Sequence, residues 1–143
     1  MSKKKDYSGK WQGQYTYGVG YSERLRGTSA PFALEIEVDR KGRFAGSVLE
    51  AERPGVGVVT GRVEGQIEDE EIEFVKIYSA YWGVLADGTY FIDTTKAPVE
   101  VHYYGAVVDE GFQGTWKVFN SVVRKSGETE VWISEGTWSM GRG

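Results

Sequence analysis

The chain has 143 residues, with 20 glycines against 3 prolines, 14% aromatic residues and no cysteine, a composition that fits one all-β domain with a real core better than a helical protein. A net charge of -4 without a basic stripe excludes a nucleic-acid footprint. The missing cysteines exclude disulfides, thiolate chemistry and sulfur-ligated zinc, and no stretch approaches the ~20 apolar residues of a membrane span.

Residues 1–8 read as a flexible tail ahead of a single domain at 9–143, with Lys3, Lys4 and Lys5 a solvated basic run. No apolar leader precedes Tyr7, so the expected location is cytoplasmic. From Gly9 onward, period-2 alternation dominates. Trp11, Gly13, Tyr15 and Tyr17 share one face of the first strand, and Phe32, Leu34, Ile36 and Val38 one face of the second. Asp39-Arg40-Lys41-Gly42 turns the chain into Phe44, Gly46, Val48 and Glu50. After a break at Arg53-Pro54-Gly55 come Val59, Gly61, Val63, Gly65 and Ile67, an acidic turn at Glu68 to Glu71, and then Ile72, Phe74, Lys76 and Tyr78.

An insert at 79–98 carries Tyr81-Trp82 and Tyr90-Phe91 around Asp87-Gly88, a hairpin-turn dipeptide. A flap over a pocket or a subunit contact would each bury those aromatics. Val99, Val101, Tyr103 and Gly105 follow, then a turn at Val108 to Gly111, then Phe112, Gly114, Trp116 and Val118. Trp132, Ser134, Gly136, Trp138 and Met140 form the last strand.

Eight alternating strands predict an antiparallel up-and-down β-barrel. The connections after strands two, four and six are tight, while those after one, three, five and seven read as long, so the long loops crown one mouth and the turns close the other end. Inward glycines at 13, 46, 65, 105, 114 and 136 sit near the closed end, leaving room for bulky aromatics.

Gly9-Lys10-Trp11 in the first strand, with Gly136-Thr137-Trp138 in the last, resembles the calycin group of lipocalins, avidins and fatty-acid-binding proteins. In lipocalins such a Trp lies across the closed end, covered by a basic residue after the final strand, and the resemblance gives that part to Arg142. Gly9-x-Trp11-x-Gly13 is also similar to the opening of nitrobindin-type haem barrels. Their haem needs a His near the C-terminus, whereas His102 is the sole histidine, and the avidins' polar biotin contacts have no match here. The resemblance therefore implies a fold and no particular cofactor.

Inward positions near the mouth are Tyr15, Tyr17, Phe32, Glu50, Lys76, Tyr78, Val99 and Trp132. Tyr15, Tyr17, Tyr78 and Trp132 could stack on a planar ligand or fill the barrel. Glu50 and Lys76 stand on an otherwise apolar face, where burial is costly unless they pair. They are an ion pair across the lumen, a grip on a polar ligand group, or residues either hydrated at the rim or displaced by a bulge that flips the parity. As an acid–base pair they are the weak catalytic candidates.

His102 points outward and has no partner for a metal site. The acidic turn lacks a calcium-loop pattern, and the glycines of 18–27 lack the strand-to-helix context of a phosphate cradle. No metal or cofactor is expected.

The preferred expectation is non-enzymatic binding of a small apolar or planar molecule in the mouth, through Tyr15, Tyr17, Glu50, Lys76, Tyr78 and Trp132. The alternative is a filled-barrel interaction module, a homo-oligomer joined through the insert and the outward Val75, Ile77, His102 and Tyr104. A barrel enzyme using Glu50 and Lys76 is the third reading.

Overall fold

The computed structural model describes residues 6–18, 21–53, 57–85, 87, 89–93, 95–123 and 125–143, excepting the side chains of 51–53, 58, 84, 120–123 and 130–132. Its strands are β1 (Gly9–Tyr17), β2 (Ser29–Val38), β3 (Arg43–Arg53), β4 (Gly57–Glu68), β5 (Glu71–Tyr78), β6 (Tyr81–Val84), β7 (Tyr90–Asp93), β8 (Glu100–Val108), β9 (Gly111–Val123) and β10 (Thr129–Arg142). Eight of them close in the order β1-β10-β9-β8-β5-β4-β3-β2, every pair antiparallel, while β6 and β7 form a separate hairpin. The eight-stranded up-and-down barrel expected from the alternation is the observed fold.

The parity of each strand sets what fills it. Trp11, Tyr15 and Tyr17 of β1 are buried, as are Phe32, Leu34 and Ile36 of β2 and Ile72, Phe74 and Tyr78 of β5. Tight turns close one end. Asp39 Oδ1 accepts from the amides of Lys41 and Arg43, both at 2.9 Å, and Gly42 takes a φ of 83°, a left-handed position that favours glycine. The β4–β5 turn instead places Asp69 and Glu70 at φ of 52° and 65°.

The floor forms around Trp11, whose ring lies 5.2 Å from Phe112 and whose Nε1 donates to the Tyr7 carbonyl at 2.9 Å. Arg142 covers it. Its guanidinium sits 4.5 Å from the Trp11 ring and donates to the carbonyls of Ser8, at 2.6 Å, and Asp6. Higher up, Phe74 and Tyr103 stack at 4.7 Å, with Trp138 edge-on to Phe74 at 5.5 Å. A Cβ at Gly105 would stand 2.7 Å from the Trp138 ring, and one at Gly136 2.6 Å from Trp116. These two glycines provide the room that the indoles occupy.

The long loops are not distributed as the sequence suggests. β3 and β4 continue past the rim to pair Arg53 with Gly57, and β9 and β10 to pair Val123 with Thr129. The connections after the third and seventh strands are thereby shortened into the ends of two-stranded arms. The open end keeps its long segments at 18–28 and 79–99, the latter containing the β6–β7 hairpin.

Candidate functional site

Glu50 and Lys76 stand on strands separated by β4, where Gly61 is opposite both Val48 and Tyr78. Gly61 carries no side chain to block the span. Lys76 Nζ donates to Glu50 Oε2 at 3.1 Å, and neither side chain is exposed. The hydrated-rim alternative is therefore corrected, and no bulge reverses the parity, since the register shift on β3 begins only after Glu50.

Removing both charges from water costs several kcal/mol per ion unless hydrogen bonds replace hydration. Here they do. Glu50 also accepts from Tyr15 Oη at 3.1 Å and from Tyr78 Oη at 2.6 Å, and Lys76 donates to Tyr103 Oη at 2.8 Å. The ammonium further lies 4.3 Å from the Phe32 ring centroid, 4.6 Å from Tyr103 and 5.0 Å from Tyr15, within the range of cation–π attraction. Burial, followed by the Glu50 charge, pushes the Tyr78 and Tyr103 hydroxyls well above their ordinary value.

Past this network the barrel opens into a cavity of about 890 Å³ lined in part by Tyr15, Tyr17, Tyr21, Tyr78, Trp82 and Trp116. Glu50 and Lys76 are not part of its lining; the rings of Tyr15, Tyr78 and Tyr103 separate them from it. Tyr17 packs edge-on against Trp116 at 6.1 Å. Tyr21 reaches in from the β1–β2 loop, its ring 4.8 Å from Tyr17, its hydroxyl bonded to Ser134 and pushed up by burial. Trp82 of the insert stands edge-on to Tyr78 at 5.3 Å, which makes the insert a wall of the cavity.

The structure thus brings together Tyr15, Glu50, Lys76 and Tyr78 in one network and places Tyr17 in the wall above it. Trp132 belongs to β10 through its backbone pairing with Asn120, but its side chain is outside the described residues. Sequence reading left Tyr103, Trp116 and Tyr21 out of the site. Alternation placed Tyr103 and Trp116 inward but too deep to be chosen, and nothing in a loop's pattern points Tyr21 inward.

His102 lies on the outer face of β8, its ring 5.5 Å from Phe119. Among the described residues no group of His, Asp or Glu gathers to hold a metal ion, and no helix is long and apolar enough to cross a membrane. No family model, curated protein or solved structure matches the chain.

Proposed function

We propose that the protein binds a small planar, largely apolar molecule in the mouth, without chemistry. The observation that carries this reading is the cavity of about 890 Å³ walled by tyrosine and tryptophan rings, within the ~300–1,000 Å³ range of ligand pockets. Its base is preorganised. The Glu50–Lys76 pair anchors the hydroxyls of Tyr15, Tyr78 and Tyr103, so those rings lose little freedom when a ligand stacks on them.

Glu50 and Lys76 meet, as an acid–base reading requires, but behind the aromatic layer and turned toward one another. Their role in this proposal is to position rings. The Trp11 floor, the Arg142 cover and the closed eight-stranded barrel support placing the chain with the calycins.

Titration with a planar coumarin, 4-methylumbelliferone, tests the reading. Saturable one-to-one binding that quenches tryptophan emission is expected. Val99→Trp, which fills the cavity from its β8 side, should weaken binding at least tenfold with the fold retained by circular dichroism. Binding unaffected by Val99→Trp would place the ligand elsewhere.

A further inference from the structure

The cavity does not end at the lumen. The β8–β9 ladder stops at His102 opposite Lys117, although β8 begins at Glu100 and β9 runs on to Val123. Glu100 and Val101 on one side, and Val118 and Phe119 on the other, therefore flank a stretch of wall without strand pairing. The cavity is lined both by the inward Val101 and Val118 and by the outward Glu100, His102 and Phe119. Its lining thus includes residues of both faces of the wall where the ladder ends, together with Lys96 and Val99 of the segment before β8.

The outer part differs chemically from the inner. Phe119 is 54% exposed, an unusual degree for a phenylalanine, and its ring stands at 76° to that of His102. Glu100, with its carboxylate, lines the cavity with Phe119 and His102, and so does Lys96, whose ammonium lies 4.9 Å from the Tyr81 ring. An aromatic face attracts C–H edges, and the three polar groups offer both donors and acceptors without a dominant sign of charge. A hydroxylated ring presents that combination, with C–H groups on its faces and hydroxyls around its rim.

We infer that the slit between β8 and β9 is a lateral subsite for a neutral, hydroxyl-rich substituent, so that the ligand class is an aromatic glycoside or a similar compound with a planar head and a polyhydroxylated ring. The head lies among Tyr17, Tyr21 and Trp116, and the sugar-like ring crosses the slit to rest on Phe119 with Glu100 and His102 beside it. This rests on the mouth being the binding site.

The test compares 4-methylumbelliferone with its β-glucoside by fluorescence anisotropy. The glucoside should bind at least threefold more tightly. Phe119→Ala and Glu100→Gln, both exposed and outside the core, should each abolish that gain and leave the affinity for the head alone unchanged. If the glucoside binds no better than the head, or if its gain survives both substitutions, the lateral subsite is overturned while the mouth reading stands. If neither compound binds, the mouth reading fails and this inference with it.

Discussion

Lys76 carries a full charge into a place without solvent, and the groups around it determine what its removal costs. Replacing one partner of a buried ion pair typically destabilises by about 3–5 kcal/mol, because the other charge stays behind. Lys76→Met is expected to lose stability in that range, and the double variant Glu50→Gln with Lys76→Met to recover part of it. Urea midpoints of the two singles and the double form the cycle, and strict additivity would show that the pair is not coupled. The tyrosines give a second expectation. Folded Tyr78, Tyr103 and Tyr21 keep their protons above the ordinary value of 10.0, whereas an unfolded chain releases them near it. Their contribution is intact below about pH 10 and is lost as pH rises toward the folded values. Absorbance at 295 nm should show these phenols ionising only as near-ultraviolet circular dichroism collapses; titration of all nine tyrosines in a folded protein would contradict it. Alternation assigned Glu50 and Lys76 to the inner face. It could not give their depth, which depends on Tyr15, Tyr78 and Tyr103 converging on the pair from three strands.

Hairpins were the most legible elements, since a tight turn between two alternating runs fixes which residues face each other. The Asp39–Gly42 turn uses its glycine where φ is positive. The β4–β5 turn does not, and holds two acidic residues at positive φ where Asn-Gly is the favoured pair. Relieving left-handed strain is worth about 1 kcal/mol, so Asp69→Asn with Glu70→Gly should raise Tm by roughly 4 °C. Calorimetry checks this, and an unchanged or lower Tm would contradict it. Strand ends were less legible. β9 and β10 run past the rim as a two-stranded arm, where no core enforces alternation, so the pattern stopped near Val118 and resumed at Trp132. The insert strands β6 and β7, four residues each, were readable as a hairpin from their aromatics. Whether those aromatics faced the mouth or another subunit was not, because that choice depends on how the insert folds back to set Trp82 against Tyr78 at the end of β5.

At the scale of the molecule, the glycines and tryptophans of the lower barrel explain why the mouth stays open. Trp11 and Trp138 are accommodated below, Trp138 against Gly105, so the volume near the floor is filled, while Trp116 stands in the wall of the larger space at the rim. The closed end was predictable from the tight turns; of the glycines expected beside it, Gly136 lies instead opposite Tyr17 at the mouth end of β1. The slit between β8 and β9 was not, since both strands alternate normally through Val101 and Val118; the opening comes from where their ladder ends.

Arg142, at the end of β10, donates to the carbonyls of Asp6 and Ser8, so the two ends of the described chain meet on the floor. An attachment made at that floor would therefore leave the mouth on the far side of the barrel from it. In an immobilised layer held that way, the open end of the barrel would face the solution.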